Sequence, residues 1–166
     1  MPQRIITNEK EQPMREMIKK EWQLSDEETF HILRKGKNGV LATVDAEGQP
    51  YCIPLDYVVV NGLVYFHGPK NGHKLDNIAQ NNRVCFTVIG SAELVPNALT
   101  TKYESVVVFG NAFVVEENEL VMVMREMVHK YFPDKAEAGE KIIEQYKSQC
   151  VVVRIETTHI TGKRKV

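Results

Sequence analysis

From Gly39 the hydrophobic period changes to two over several short runs, and the β-branched residues valine, isoleucine and threonine become frequent. That period places alternate side chains on opposite faces of an extended chain, so the stretch reads as β-structure. Gly39–Asp45 is the first strand and Ala46-Glu47-Gly48 a tight turn. Pro50–Val60 is a second strand, interrupted at Pro54, which cannot donate to a ladder and so marks an edge, a bulge or a ligand-facing break. Asn61-Gly62 is a strong hairpin signal, because both residues tolerate positive φ. Leu63–His67 and Arg83–Ile89 are the third and fourth strands. Tyr103–Glu116, with a bend or bulge at Gly110, and Cys150–Ile160 add two more. Short hairpin connections favour antiparallel neighbours. The expected fold is therefore mainly β: a six-stranded antiparallel barrel, closed or nearly so, with helices set around its ends.

Four segments switch to helical spacing. Ser25-Asp26-Glu27-Glu28 has the capping-box form, which starts a helix over Asp26–Lys35. Asn71–Gln80, Glu119–Phe132 and Ala136–Lys147 carry apolar residues on one face. Residues 90–101 read as a polar loop, and Thr161–Lys165 as a basic tail. Residues 1–24 read as an N-terminal arm of a single domain spanning 1–166.

The chain's 166 residues are enough for one hydrophobic core. With 21 basic and 22 acidic residues the formal net charge is -1. That balance gives no electrostatic reason to expect nucleic acid as a partner. No apolar run approaches the roughly 20 residues that cross a bilayer. The first residues lack the apolar centre of a signal peptide, so a soluble, cytoplasmic protein without a membrane partner is expected. Cys52, Cys85 and Cys150 are scattered along strands with no CxxC spacing. They read as reduced, buried thiols, not a disulfide framework or a zinc site.

The most informative segment is Tyr65–Asn77 (YFHGPKNGHKLDN), a strand, a glycine-containing loop and a helix start. A helix N-terminus exposes unpaired N–H groups and a partial positive charge. Gly72 allows close backbone approach to a ligand, and His73 and Lys74 add donors. Cations in a first helical turn oppose the dipole, and a bound phosphate would account for them. A solvated loop with a chance basic pair is the other reading, and the segment alone does not choose between them. The chain has no GxxxxGK[ST], no GxGxxG after a strand and no GxSxG, which argues against a nucleoside triphosphate, a Rossmann dinucleotide and a serine hydrolase. His67 and His73 lack carboxylate or cysteine companions at ligand spacing, so no metal site is expected.

Taken in order, Gly39–Asp45, Gly48-Gln49-Pro50, Ile53-Pro54-Leu55, Tyr65-Phe66-His67-Gly68, Gly72-His73-Lys74, Asn77-Ile78 and Val84–Val88 resemble the pyridoxamine-5′-phosphate-oxidase-like FMN-binding split barrels. Within that family the chain resembles the 5-nitroimidazole-resistance (Nim-type) branch, through the same run, through Tyr103-Glu104-Ser105-Val106 and through the closing Ile160-Thr161-Gly162-Lys163. The resemblance covers about residues 14–165. It implies a homodimer holding FMN, or FAD, at the subunit interface, and a flavin-dependent oxidoreductase acting on a small molecule such as a nitro-aromatic compound. It places Ile53, Pro54 and Leu55 along the isoalloxazine, with Phe66 and His67 near the ribityl and phosphate. Lys74, with His73, matches the phosphate-binding basic residue, and Ser105 matches a polar residue reaching in, from this subunit or the other. It makes His67 the candidate for a catalytic role. Two departures stand out. Ile53 occupies the position where the oxidases carry arginine, which shifts the phosphate onto Lys74, His73 and helix backbone. The C-terminal residues that those oxidases use for pyridoxamine phosphate have no clear counterpart, which argues against vitamin B6 oxidation. The same resemblance leaves a second function open, a flavin- or haem-binding storage or sensor module without turnover. His67, His73 and His129 are its candidate axial ligands.

Overall fold

The computed structural model describes residues 14–166. Ser25 opens α1 (Asp26–Lys35) with the expected capping box. Its hydroxyl accepts from the Glu28 N–H at 3.3 Å, and the Glu28 carboxylate accepts from the Ser25 N–H at 3.1 Å. Seven strands follow: β1 (Asn38–Val44), β2 (Pro50–Asp56), β3 (Val58–Val60), β4 (Leu63–Pro69), β5 (Arg83–Val95), β6 (Thr100–Val114) and β7 (Cys150–Lys165). α2 (His73–Gln80) joins β4 to β5, and α3 (Glu117–Tyr131) and α4 (Ala136–Tyr146) lie between β6 and β7. The strands form one antiparallel sheet in the order β2-β1-β5-β6-β7-β4-β3, curled into a half-barrel.

Alternation decides which side chains fill it. Leu41, Phe66, Phe86, Val106, Val108 and Val153 point inward and meet Leu33 of α1 and Ile78 of α2. α1 packs where β1 begins, with Thr29 against Gly162 and Ile32 against Gly90. α2 packs where β1 ends, through Asn77, so the two helices close opposite ends of the barrel. α3 lies outside the sheet, its Leu120, Val123 and Met127 against Val58, Tyr65 and Val152. Among the described residues no helix is long and apolar enough to cross a membrane.

The expected second strand, Pro50–Val60, is two strands, which raises the count from six to seven. The break falls at Tyr57 and not at Pro54. Pro54 sits within β2 opposite Val40, on an edge strand, where a missing N–H is tolerated. Tyr57 leaves the ladder because α3 takes its backbone groups. Its N–H donates to the Tyr131 hydroxyl at 2.9 Å. Its carbonyl accepts from Lys130 Nζ at 2.9 Å and lies 2.7 Å from the Tyr131 oxygen. The Tyr57 hydroxyl donates in turn to the Leu33 carbonyl. One short run of chain thus supplies both edges of the sheet.

Residues 90–101 are not a loop. Ser91–Val95 continue β5 and pair with Glu104–Thr100 of β6, after a register shift beside Gly90; the turn is confined to Pro96–Leu99. Thr161–Lys165 likewise extend β7 and pair with Val107–Tyr103. Ser91–Leu94 are exposed, and Thr161–Lys165 are half-buried but polar apart from the buried Gly162, so neither segment carries an apolar alternation to betray a strand. Gly110 does mark an irregularity, a register shift against β7. Cys52 is exposed on the edge strand, against the expectation of three buried thiols; Cys85 and Cys150 are half-buried, and all three are free. Of the expected N-terminal arm, residues 1–13 lie outside the described residues. The rest meets the barrel through Leu24, whose N–H donates to the Gly162 carbonyl at 3.0 Å.

Lys130 gives the Tyr57 break a pH signature. Burial pushes its ammonium down to about 8 from an ordinary 10.5, with Asp56 opposing the shift. A depressed folded-state pKa means that the unfolded chain binds more protons between these values. Lys130 therefore adds stability above pH 10.5 that is lost as pH falls through 8. Cys85, Cys150, Tyr65 and Tyr131 are shifted upward, mainly by burial, and act in the opposite sense at alkaline pH. In urea unfolding, wild type gains on Lys130→Met between pH 7.5 and 10. A constant difference would show that the ammonium is fully solvated.

Candidate cofactor site

α2 begins at Gly72, whose φ of 131° and ψ of 164° strain any side chain. No side chain caps this end of the helix, so its first N–H groups are open to a ligand. Leu75 and Asp76 donate back to the Gly72 carbonyl at 2.9 and 3.1 Å, which fixes the first turn. The helix is held from below by Asn77, buried, whose Nδ2 donates to Thr43 Oγ1 of β1 at 2.9 Å. The sequence offered a hint of this anchor, an asparagine at the centre of a helix, without naming its partner.

Lys74 and His73 flank the open terminus. Lys74 Nζ lies 3.0 Å from the point where a Cβ on Gly68 would stand, so the bare backbone of β4 makes room for the amine. The His73 ring packs on Tyr51 of β2, with centroids 4.1 Å apart. β2 and β4 are not hydrogen-bonded to each other, and the α2 terminus sits at the opening between them. His67, one residue before Gly68, stands on the opposite face of β4 from Phe66. Desolvation by the surrounding protein lowers its pKa, Lys74 adds to the effect, and Asp56 counteracts it. The shift favours the neutral imidazole, which can donate from one nitrogen and accept at the other, on a side chain that is still exposed.

The remaining expected residues divide by face. Phe66 is fully buried in the core, so only its backbone can meet a ligand. Ile53 and Leu55 are half-buried and pack against that same core. Pro54 is exposed on the outer face. Ser105 lies on that face too, because Val40 is opposite both Pro54 and Thr87, Thr87 is opposite Val107, and Ile89 is opposite Ser105. Ser105 is at the α1 end of the barrel, so within one chain it does not meet Lys74. Val40 and Ile89 on this face are 40% and 68% exposed. A cleft of about 670 Å³ runs along it past His31, Lys35, Pro54 and Ser91. The cleft's Arg164 is already paired with Glu28 and Glu104, each at 2.6 Å. His129 is exposed on α3. No group of three potential metal ligands occurs among the described residues.

A second cavity, of about 360 Å³, opens between α3 and α4, with Asp56 and His67 on its sheet side. Sequence reasoning missed it, since its walls look like ordinary helix core and only the fold brings them to His67.

A curled antiparallel sheet, plugged by a helix at each end and split beside an uncapped, basic helix terminus, defines a split barrel. The chain belongs to the pyridoxamine 5′-phosphate oxidase family, whose model matches residues 25–164. No curated protein matches the sequence. Among solved structures it resembles a candidate 5-nitroimidazole antibiotic resistance protein from Bacteroides thetaiotaomicron, at 20% identity and a TM-score of 0.70 over 86% of each chain. It also resembles a FAD-binding protein from Mesorhizobium loti, at 24% identity and a TM-score of 0.60 over 87% of this chain and 97% of that one. A FAD and haem binding protein from Mycobacterium smegmatis aligns at 14% identity and a TM-score of 0.71 over 85% and 71%. At these identities the likeness is one of fold.

Proposed function

We propose that this chain is a single-domain flavin-binding oxidoreductase of the Nim-type branch. In this reading it works in the cytoplasm as a homodimer and passes reducing equivalents from a nicotinamide donor to small acceptors such as 5-nitroimidazoles. The observation that carries the reading is the uncapped start of α2, with Lys74 laid over Gly68. Open N–H groups, an ammonium and a backbone free of side chains suit a phosphate monoester. Family membership and the flavin-binding names among its structural relatives make FMN or FAD the phosphate's natural bearer. When bound, the flavin supplies the hydride and electron chemistry.

The chain's own residues bind and orient. α2 and Lys74 hold the phosphate, and His73 is kept in place by Tyr51. The outer edge of β2, unpaired in the sheet, offers backbone groups to a polar ring edge beside Ile53, Pro54 and Leu55. His67, its pKa lowered by its surroundings, can hold or pass a proton at the mouth. The outer face bearing Pro54 and Ser105 is bordered by α1 only along one side of its cleft and leaves Val40 and Ile89 exposed, which favours a second copy lying there and bringing its own Ser105 to the site.

Purified protein should be yellow, with flavin absorption that bleaches under NADH or NADPH without oxygen and returns on adding a nitroimidazole. A colourless protein that FMN and FAD fail to stabilise against heat sinks the proposal. The name of the Mycobacterium smegmatis relative favours the second reading, a binding module for flavin or haem. Bound ligand with no turnover on any acceptor would establish that one instead.

A further inference from the structure

We infer that the cavity between α3 and α4 binds a compact, uncharged aromatic molecule and discriminates against phosphate esters. As a substrate pocket it rests on the flavin reading, because His67 links it to the α2 site. As a binding site it stands alone.

The volume of about 360 Å³ lies at the small end of ligand sites, which span roughly 300–1,000 Å³. One or two fused rings fill it. The walls suit such rings: Met124 and Met127 contribute polarizable thioethers, which pack well on aromatic edges, and Phe132 and Tyr131 contribute ring faces. Their positions are held from behind. Gly139 lets α4 close on α3, since a Cβ there would lie 2.5 Å from Val128 Cγ1. Tyr131 is fixed by its bonds to the Tyr57 backbone.

Charge sets the selectivity. The polar lining is Asp56, His67 and Lys135. Asp56 and Lys135 cancel formally; the Lys130 ammonium, also near Asp56, is bonded to the Tyr57 carbonyl, and the lowered His67 pKa favours the uncharged imidazole. A phosphate monoester would carry close to two negative charges into this space, beside the Asp56 carboxylate and against one exposed ammonium. Partly desolvating that charge without matched partners is unfavourable. An uncharged ring with one hydroxyl, nitro or ring N–H group loses little hydration, and can bond to His67 or Asp56.

The pair 2-naphthol and 2-naphthyl phosphate tests this, since they differ in the phosphate alone. Protein carrying ¹³C-methyl methionine is titrated with each, with and without flavin, and single Met→Leu variants assign the signals. The Met124 and Met127 methyl signals should shift saturably with 2-naphthol, and at least tenfold higher 2-naphthyl phosphate should be needed for the same shift. Ala138→Phe, at the cavity wall, should weaken 2-naphthol at least tenfold while flavin content is unchanged. If circular dichroism shows that variant unfolded, Ala138→Leu is read instead, with at least a threefold loss. Equal affinity for the two compounds, unmoved methyl signals, or an unaffected wall variant overturns the inference. Shifts in a protein that takes up no flavin would uphold the cavity and defeat the flavin reading. A flavin-loaded protein with unmoved methyl signals would do the reverse.

Discussion

Lys74→Ala should weaken FMN binding by roughly 10- to 150-fold, and flavin fluorescence quenching on titration measures it directly. The estimate is the cost of removing one charge-assisted contact to a phosphate, about 1.5–3 kcal/mol. Two features place the effect on this residue. By the sequence resemblance Ile53 stands where the oxidases carry arginine, so no guanidinium shares the charge with the Lys74 ammonium. The Gly68 backbone leaves the space the Lys74 amine occupies, so the amine can settle against the helix mouth without moving β4. Lys74→Arg should retain most of the affinity. His73→Ala should cost less, because that ring is already packed on Tyr51. Unchanged affinity in Lys74→Ala would remove the α2 terminus as the phosphate site, and with it the core of the proposed function.

The largest effect on stability is expected at the opposite kind of site, where Gly39 of β1 faces Phe86 of β5. Phe86 is fully buried, and a Cβ on Gly39 would run into its ring. The ring fills the barrel beside Tyr57, with centroids 4.9 Å apart in an edge-on arrangement, so it has nowhere to retreat. Phe86→Ala should cost about 3–5 kcal/mol through lost burial and the cavity left behind. Gly39→Ala should cost about 1–3 kcal/mol by overpacking. Because the two residues touch, the changes are not additive. Combining Gly39→Ala with Phe86→Leu should cost less than the sum of the single changes in urea unfolding. Full additivity would mean that the ring and the glycine are independent, contrary to the packing described.

These two sites also show how far the sequence could be read. α1 was legible to the residue, because Ser25 and Glu28 declare a helix start through local hydrogen bonds. The strands that alternate apolar and polar residues were legible for the same reason: half-buried geometry writes itself into a period of two. What alternation could not show was the outcome of contacts distant in sequence. The break at Tyr57 depends on Tyr131 and Lys130, which lie far along the chain. The solvated half of the β5–β6 hairpin has no buried face, so it reads as loop. At the site, the His73–Lys74 pair and its glycine were visible as a motif. The clearance at Gly68, the Asn77–Thr43 anchor and the cavity beside His67 arise from packing between elements. Phe66 was legible as part of a motif, but its side chain serves the core, and a motif does not say which way a strand residue faces.

The break at Tyr57 carries a mechanical consequence. Pro50–Val60 forms both lips of the barrel's seam, and Tyr131 is the pin through the fold between them. Tyr131 is also a wall of the cavity between α3 and α4. Whatever widens the seam pulls on this pin, and whatever fills the cavity pushes on it. A ligand entering at the seam and one occupying the small cavity would then both bear on Tyr131.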